Sequence, residues 1–326
     1  MRVAVMDDWQ GVALESADWS RLQARAEVVV LQEPLSDEDS AVAGLGEFDA
    51  LIPMRERTRL PASLIDRLPR LRMIALTGTR SPSLDLAACT RRGVLVCSTG
   101  GTASSAGTAE LTLGLMLAAV RRIPAGDAAI RAGWFQDGVG IGPVREGKTL
   151  GVIGLGRIGS RVASYGRALG MRVLAWSRSL TAEAAEADGA ALAGKDELLA
   201  GSDVVSLHVP LSEGSRGLIG AAEIARMRPG ALLVNTSRAG LVDGAALLAA
   251  VRDGRIMAAL DVYEQEPLPP DDPWRTAPNT VLTPHVGYGS VDTFRQFYRE
   301  SIDNVLAFMD GAPIRVMNPE ALARRG

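Results

Sequence analysis

The amino-acid sequence predicts an α/β protein with two doubly wound parallel sheets, each in a domain of its own. Three observations lead to this prediction. The chain has 326 residues, which is more than a domain with a single hydrophobic core usually contains. This length fits two domains of roughly 100 to 200 residues each. Short β-rich runs alternate with helix-like segments along most of the chain, as in parallel strands joined by crossover helices. Hydrophobic residues make up 47% of the chain and charged residues 22%, which is typical of a folded globular protein.

The composition argues against several classes of function. The chain carries 38 acidic and 35 basic residues, for a net charge of −3, so it lacks the basic excess that nucleic-acid binding requires. Two cysteines, Cys89 and Cys97, are too few for a disulfide framework. With only two histidines, no metal site is expected.

The sequence also gives no sign of membrane association. It has no run of about 18 consecutive apolar residues. Its first ten residues, MRVAVMDDWQ, carry acids where a signal peptide has an apolar stretch. We therefore expect a cytoplasmic protein that does not bind membranes.

The first hundred residues predict a small parallel-sheet domain. The segment after them, Ser104 to Arg122, has serines at its start and leucines on almost every face, which predicts a capped helix buried on all sides. The domain itself contains five β-rich runs separated by helix-like segments, namely Arg2 to Met6, Val28 to Leu31, Asp49 to Pro53, Leu71 to Thr77 and Val94 to Val96.

A second series of β-rich runs predicts a second sheet. Such runs with helical spacers are typical of a doubly wound sheet of the Rossmann-like or flavodoxin-like type. Six of them occur in this part of the chain: Thr149 to Ile153, Arg172 to Trp176, Asp203 to Leu207, Ala231 to Asn235, Ile256 to Leu260 and Thr280 to Thr283.

The end of the chain predicts that the first domain is discontinuous. Val291 to Met309 is amphipathic and has no strand partner nearby in sequence, so we expect it to pack back on the first domain. The predicted substrate-binding domain therefore comprises residues 1–101 plus 285–326. The predicted dinucleotide-binding domain comprises residues 102–284, with a cleft between the two.

A glycine pattern directly after the strand TLGVI indicates a dinucleotide site. Gly154, Gly156 and Gly159 form G-x-G-x-x-G, and a helix is predicted to begin near Arg157. In this context the glycines allow a tight turn and a close approach of the backbone to a pyrophosphate. The N–H groups and the positive dipole end of the helix would stabilise its charge.

A second phosphate-binding pattern overlaps this one. Gly142, Gly147, Lys148 and Thr149 match G-x-x-x-x-G-K-T, the signature of a nucleoside-triphosphate loop. Such a loop follows a strand and opens a helix, whereas here a proline-containing loop leads into a strand. An ATP-hydrolysing activity is the corresponding alternative.

The end of the second strand of this domain favours NADP over NAD. An NAD site usually has Asp or Glu about 20 residues beyond the glycines, to bind the ribose 2′-hydroxyl. This chain has Ser177 and Arg178 there. A guanidinium beside a small hydroxyl can bind a 2′-phosphate that an acid would repel.

Three charged side chains follow predicted strands of the second domain. Ligands of open α/β sheets bind at the carboxyl ends of strands, and Arg238, Glu266 and His285 lie there. A guanidinium for a carboxylate, a carboxylate and an acid/base group are what reduction of a 2-keto acid requires. The other histidine, His208, ends a strand and is either a cofactor-loop residue or a structural one.

Several sequence blocks resemble the D-isomer-specific 2-hydroxyacid dehydrogenases. They occur in family order and spacing: GVIGLGRIGSRVA, DVVSLHVPLSEGSRGLIG, MRPGALLVNTSRAGLVD, AALDVYEQEPLP and TPHVGYGS. The resemblance covers nearly the whole chain. It implies an NAD(P)-dependent oxidoreductase that transfers a hydride between nicotinamide and a 2-keto or D-2-hydroxy acid, and it implies a homodimer in which the helix from Ser104 forms the interface.

The resemblance also implies roles for individual residues. Arg238 would bind and polarise the keto acid, His285 would act as general acid/base, and Glu266 would keep His285 protonated. Substrate contacts are expected from Arg238, Tyr288 and the backbone N–H groups of Gly78 and Thr79. Cofactor contacts are expected from Thr108, Gly154, Gly156, Arg157, Ile158, Gly159, Ser177, Arg178, His208, Val209, Pro210, Ser215, Thr236, Asp261 and Gly287.

The chain departs from the family pattern where the substrate would bind. Many members have G-V-G-x-D where this chain has TGTRSPSLD, Thr77 to Asp85, and Tyr288 stands where a second glycine often follows His285. Arg80 and Tyr288 are therefore expected to shape the pocket. Glyoxylate, hydroxypyruvate, phosphoglycerate and bulkier keto acids all stay open, while formate is disfavoured because formate dehydrogenases have glutamine at the position of Glu266. A non-catalytic, corepressor-like NAD(P) sensor of the same fold is the alternative function.

Overall fold

The computed structural model of the chain describes residues 1–35 and 37–324. Its contacts divide the chain into two compact units. The first unit comprises Met1–Ala103 and the residues from Ser290 onward, and the second comprises Ser104–Gly289. The domain boundaries expected from the sequence, at 101/102 and 284/285, remain predictions.

Short strands and helices alternate along the chain. The first part, up to the start of the second sheet, consists of β1 (Arg2–Val5), α1 (Ala13–Ser16), α2 (Ser20–Gln23), β2 (Glu27–Val30), α3 (Glu38–Leu45), β3 (Ala50–Ile52), α4 (Ala62–Asp66), β4 (Met73–Leu76), α5 (Leu86–Arg91), β5 (Leu95–Ser98), α6 (Thr102–Val120) and α7 (Ile123–Arg131).

The same alternation continues through the second sheet. It consists of β6 (Thr149–Ile153), α8 (Arg157–Ala168), β7 (Arg172–Trp176), α9 (Ala182–Ala187), β8 (Ala191–Leu192), α10 (Lys195–Gly201), β9 (Val204–Leu207), α11 (Ala221–Arg226), β10 (Leu232–Asn235), α12 (Gly244–Arg252), β11 (Met257–Leu260), β12 (Thr280–Leu282) and α13 (Val291–Met309). Further 3₁₀ helices span Glu213–Ser215, Ala239–Leu241, Pro273–Thr276 and Pro319–Arg324.

The first unit contains a parallel sheet of the flavodoxin-like order. In the described part of the chain its five strands follow the order β2-β1-β3-β4-β5. β4 is buried along its whole length, as expected for a strand covered by helices on both faces. All five strands begin and end within two residues of the predicted positions.

The helix α13 packs against the first unit although it follows the whole second unit in sequence. Phe297 on this helix is fully buried. The side-chain amide of Asn304 donates to Ser98 O at 2.9 Å, and Gly100 N donates to Glu300 Oε2 at 2.6 Å. These bonds fix the backbone beyond β5, where the chain leaves the first unit.

The second unit contains a larger parallel sheet. Over the described residues it has seven strands in the order β12-β11-β10-β9-β6-β7-β8. The strand order reverses between β6 and β9, which is the switch point at which such sheets bind ligands. The seventh strand, β8, was not predicted. It consists only of Ala191 and Leu192, both exposed, and a run of two residues gives no recognisable strand pattern.

The helix α6 is buried on one face only. Thr112, Leu115 and Met116 are buried, whereas Glu110 and Gly114 are exposed. The prediction of burial on all sides is therefore wrong, because apolar composition does not by itself supply a neighbour for every face. Among the described helices α6 also has the length and composition of a membrane span, a criterion that core helices of soluble proteins meet as well.

Asp7 is a buried carboxylate in an unfavourable backbone conformation. It follows β1 with φ +60° and is 1% exposed. Its Oδ1 accepts a hydrogen bond from Thr58 Oγ1 at 2.8 Å, while Oδ2 is buried without a hydrogen-bond partner among the described residues. Burial raises the pKa of Asp7, outweighing the hydroxyl of Thr58 and the charge of Arg57.

Replacing Asp7 by asparagine is expected to stabilise the protein in a pH-dependent way. A raised folded pKa means that charging Asp7 destabilises the fold, and this effect grows as pH rises from the unfolded pKa of about 3.9 through the folded pKa. Asparagine stays neutral and tolerates the left-handed conformation. Asp7→Asn should therefore raise the melting temperature at pH 7 and change it little near pH 4, measured by thermal unfolding across this range.

Asp8 provides the matched control. Its two carboxylate oxygens accept the N–H groups of Val12 and Ala13, both at 3.0 Å. Asp8→Asn loses one of these acceptors and should lower the melting temperature at pH 7. A lower melting temperature for Asp7→Asn at pH 7 would contradict the argument from the unpaired oxygen.

Candidate active site

The three glycines after β6 have three different structural roles. Gly154 has φ +98°, and a Cβ there would stand 2.7 Å from His208 O. A Cβ on Gly159 would stand 2.0 Å from Gly154 O, so this glycine lets α8 pack against the turn. A Cβ on Gly156 would meet nothing within 4 Å. The open space is therefore at Gly156, where a ligand can approach the protein backbone closely.

The helix α8 presents an uncapped amino terminus at this open space. Its N-cap residue is Gly156, which has no side chain to accept the first N–H groups. Arg157 and Ile158 form the start of the first turn, with Arg157 exposed and Ile158 half-buried. Free N–H groups and the positive end of the helix dipole fit the pyrophosphate of a dinucleotide.

The two residues expected to set cofactor preference, Ser177 and Arg178, directly follow β7. Ser177 is half-buried and Arg178 is exposed. Arg178 makes no ion pair with any residue that the structure describes. Its guanidinium lies against the 3₁₀ helix Glu213–Ser215, close to Gly214.

The strand β9 ends at a neutral histidine and a fixed loop. His208 Nε2 and Ser206 Oγ are 2.8 Å apart, and burial lowers the pKa of His208 to about 3. His208 is therefore uncharged at neutral pH and cannot act as the proton donor. Beyond it, Ser215 Oγ donates to Pro210 O at 2.8 Å, and the Val209 side chain lies next to Gly154.

The segment after β10 positions Arg238 through a local network. Asn235 Nδ2 donates to Arg238 O at 2.9 Å, and Ser237 Oγ donates to Leu207 O at 2.7 Å. The Arg238 side chain is half-buried, and its Nη1 donates to Ser237 O at 2.7 Å. Thr236 is buried, with Oγ1 2.8 Å from Thr112 Oγ1 of α6.

His285 and Glu266 form a close pair. His285 Nδ1 lies 2.5 Å from Glu266 Oε2, and the two side chains are 26% and 34% exposed. Tyr263 N donates to Glu266 Oε1 at 2.9 Å, which fixes the carboxylate. Because Nδ1 faces Glu266, Nε2 is the ring nitrogen left for a substrate. His285 itself has φ +53°, a strained conformation of the kind that concentrates at functional sites.

The charges around Glu266 keep it ionised. Burial alone would raise its pKa, but the hydrogen bond and charge of His285, the N–H of Tyr263 and the charge of Arg238 together lower it. The structure thus brings Arg238, Glu266 and His285 into one electrostatic environment. The ionised carboxylate accepts at Nδ1 and so orients the ring whose other nitrogen could exchange a proton with a ligand.

Asp261 folds the segment that carries His285. Its Oδ1 accepts from Thr283 Oγ1 at 2.6 Å and Val286 N at 2.9 Å, and its Oδ2 accepts from Gly287 N at 2.8 Å. Burial raises the pKa of Asp261, whereas these three bonds lower it. Both oxygens therefore already bind protein groups in the segment where a cofactor carboxamide was expected.

Two residues of this network were missed in the sequence. Tyr263 holds Glu266 through its N–H, and its hydroxyl donates to Thr283 O at 3.0 Å. Thr283 in turn donates to Asp261. The spacing Asp261, Tyr263, Glu266 within DVYEQE was the available signal, but backbone donors leave no mark on residue type.

Other expected contacts lie close to this segment. A Cβ on Gly287 would stand 3.0 Å from Asp261 Oδ2 and 3.3 Å from Thr108 Cγ2, so Thr108 of α6 lies beside the turn. Tyr288 is buried, and its ring stands edge-on to the His285 ring with centroids 6.1 Å apart.

The first unit holds the expected substrate residues Gly78 and Thr79, and their contacts with substrate remain predictions. Gly78 N donates to Thr99 Oγ1 at 2.6 Å, so its N–H is already engaged within the unit. The Arg55 guanidinium also covers Gly78, because Nη1 lies 1.7 Å from where a Cβ would stand. Thr79 and Arg80 are exposed, and their role with substrate remains a prediction.

The competing phosphate-loop interpretation is wrong. Gly142 to Lys148 form a loop that runs into β6 rather than into a helix, so the pattern has no helix amino terminus to bind phosphate. Among residues 1–35 and 37–324, no cluster of three histidine, cysteine, aspartate or glutamate side chains suits a metal ion.

Comparison with known proteins gives a consistent family. The family model for the D-isomer specific 2-hydroxyacid dehydrogenase, NAD binding domain, matches residues 113–287. A glyoxylate reductase from Aeropyrum pernix is 39% identical over 86% of this chain and 85% of its own length. A D-3-phosphoglycerate dehydrogenase from Archaeoglobus fulgidus is 37% identical over 82% of this chain, but the match spans only 51% of that protein.

Solved structures agree in fold. A phosphoglycerate oxidoreductase from Vibrio cholerae superposes with a TM-score of 0.91 at 36% identity, covering 96% of this chain and all of that one. A glyoxylate reductase from Paecilomyes thermophila gives a TM-score of 0.76 at 30% identity, covering 98% of each chain.

The glycine turn predicts that stability and cofactor binding can be separated. Gly159→Ala forces a Cβ into the backbone of Gly154 and should destabilise the protein by about 1 to 3 kcal/mol. Gly156→Ala meets no protein atom, so it should leave the melting temperature unchanged. It should nevertheless weaken dinucleotide binding about tenfold or more, because its Cβ enters the open space. Thermal unfolding measures the effect on stability, and fluorescence titration with NADPH measures the effect on binding. Unchanged binding by Gly156→Ala would contradict the placement of the dinucleotide at Gly156.

Proposed function

As a member of the D-isomer specific 2-hydroxyacid dehydrogenase family, this chain is an NAD(P)-dependent oxidoreductase, and we propose that it reduces a 2-keto acid to a D-2-hydroxy acid with His285 as general acid. The observation that carries the proton-transfer role is the 2.5 Å contact between His285 Nδ1 and Glu266 Oε2. This contact holds the ring and leaves Nε2 free to face the substrate.

The residues of the chain divide the work of the reaction. When bound, the nicotinamide supplies the hydride to the keto carbon. Arg238 offers its guanidinium to the substrate carboxylate and carbonyl, where charge-assisted hydrogen bonds orient the reacting carbon. His285 delivers the Nε2 proton to the carbonyl oxygen as negative charge develops there. Glu266 remains ionised and balances the imidazolium.

The cofactor is proposed to be NADP rather than NAD. The support is the absence of an acid at the end of β7, where Ser177 and Arg178 stand instead. The exposed Arg178 guanidinium has no ion pair among the described residues and can bind a 2′-phosphate, whereas an acid is the usual ligand of the 2′-hydroxyl of NAD.

The protein is also proposed to form a homodimer through the second unit. The support is the exposure of five large apolar side chains on α7 and the loop after it, namely Ile123, Ile130, Trp134, Phe135 and Ile141. Phe135 is 73% exposed and Ile141 is fully exposed, which is unusual for large apolar side chains unless a partner covers them. Light scattering should give about twice the chain mass of 34.3 kDa; the mass of a single chain would contradict the proposal.

The alternative of a non-catalytic sensor has no support from the comparisons, whose relatives carry the names of reductases and dehydrogenases. Turnover separates the two functions. A sensor binds NADPH or NADH but consumes neither with any keto acid.

A panel of 2-keto acids tests the proposed reaction and cofactor together. Glyoxylate, hydroxypyruvate and larger keto acids are assayed at 340 nm with NADPH and NADH in parallel. We expect turnover with at least one keto acid and a higher kcat/KM with NADPH. A preference for NADH would overturn the assignment of Arg178 without affecting that of His285.

Replacement of His285 tests the proton donor. His285→Asn should lower kcat about 100- to 10,000-fold, while NADPH binding measured by fluorescence stays within about twofold of the wild type. Glu266→Gln keeps a side chain of similar size at Nδ1 and should retain more activity than His285→Asn. Unchanged kcat in His285→Asn would refute the role.

A further inference from the structure

The Arg178 side chain occupies space that a side chain at position 214 would fill. It reaches from the turn after β7 to the 3₁₀ helix Glu213–Ser215. A Cβ on Gly214 would stand 2.7 Å from Arg178 Nη1 and 3.6 Å from Cζ. The guanidinium therefore lies beside the backbone of Gly214, in space that a larger side chain at this position would enter.

The loop beneath the guanidinium is fixed. Ser215 is buried, and its Oγ donates to Pro210 O at 2.8 Å and accepts from Ser212 N at 2.8 Å. Arg216 N donates to Ser212 O at 3.0 Å. A side chain added at Gly214 would thus displace the flexible arginine and not the loop.

Arg178 is not held by polar bonds to the residues that the structure describes. In the part of the chain that the structure describes, it has neither an ion pair nor a side-chain hydrogen bond, and it is exposed. The shape of the surface at Gly214 is therefore the feature that positions the guanidinium. Gly214 is not among the glycines with positive φ, so its backbone can accept alanine or valine.

We propose that Gly214 is a determinant of cofactor preference, because its missing side chain gives the Arg178 guanidinium room beside the end of β7. The ribose of the adenosine half binds at the end of this strand in sheets of this type. The inference rests on the proposed function, in which Arg178 binds the 2′-phosphate of NADP. Gly214 acts through Arg178 and is a positioning residue.

The test compares four variants by the ratio of kcat/KM with NADPH to kcat/KM with NADH. Arg178→Ala removes a charge-assisted hydrogen bond and should lower the ratio about 10- to 100-fold. Gly214→Ala should lower it about 3-fold, and Gly214→Val about as much as Arg178→Ala. The double variant Arg178→Ala with Gly214→Val should be no worse than Arg178→Ala alone, because the two residues act as one unit.

Gly194→Ala is the matched control. Gly194 is exposed, has φ −67°, and a Cβ there would meet nothing within 4 Å, so this variant should leave the ratio unchanged. Melting temperatures of all variants should stay near that of the wild type.

Each other outcome has a distinct meaning. If Arg178→Ala lowers the ratio and Gly214→Val does not, the role of Gly214 is overturned while the proposed cofactor stands. If Gly214→Val lowers kcat/KM equally with both cofactors, the residue shapes the loop and not the preference, which also overturns the inference. If Arg178→Ala leaves the ratio unchanged, the proposed NADP preference fails, and the role of Gly214 fails with it.

Discussion

The site of the second unit depends on the parallel alignment of its strands. β6, β9, β10, β11 and β12 are hydrogen-bonded neighbours in register, so their carboxyl ends lie along one edge of the sheet. The glycine turn follows β6, and the segments carrying Arg238, Asp261 and His285 follow three other strands. A single geometric rule thus collects groups that are more than 100 residues apart, and an antiparallel strand among them would send its residues to the opposite edge.

The same edge carries unfavourable features that the surrounding structure must offset. His285 has a left-handed backbone conformation, and Asp261 is a fully buried acid. Both are stabilised by the same short segment, because Asp261 accepts the N–H groups of the two residues after His285. The strained backbone at His285 is therefore followed directly by hydrogen bonds to a buried carboxylate. This arrangement favours a fixed ring over maximal stability.

The sequence was most informative where residue type and local spacing decide the structure. Short apolar runs bounded by turn residues located every longer strand to within two residues. The glycines after β6 marked the turn, because a Cβ on Gly154 or Gly159 would collide with the backbone. Apolar composition could not say which faces of α6 find a neighbour. The engaged N–H of Gly78 and the Tyr263 N–H that binds Glu266 were also invisible, because every non-proline residue has such a donor. The pairing of Arg178 with Gly214 needed coordinates, since 36 positions separate the two residues along the chain.

The discontinuity of the first unit has a consequence for the order in which the chain is synthesised. The ribosome makes β1 to β5 before the second unit, but α13, whose Phe297 is buried in the first unit, is made only after it. The whole of Ser104–Gly289 is translated between them. On the nascent chain the sheet of the second unit can therefore finish folding while the sheet of the first unit still exposes the apolar face that α13 will cover. During that interval the exposed apolar surface of β1 to β5 is the part of the nascent chain that a chaperone would bind.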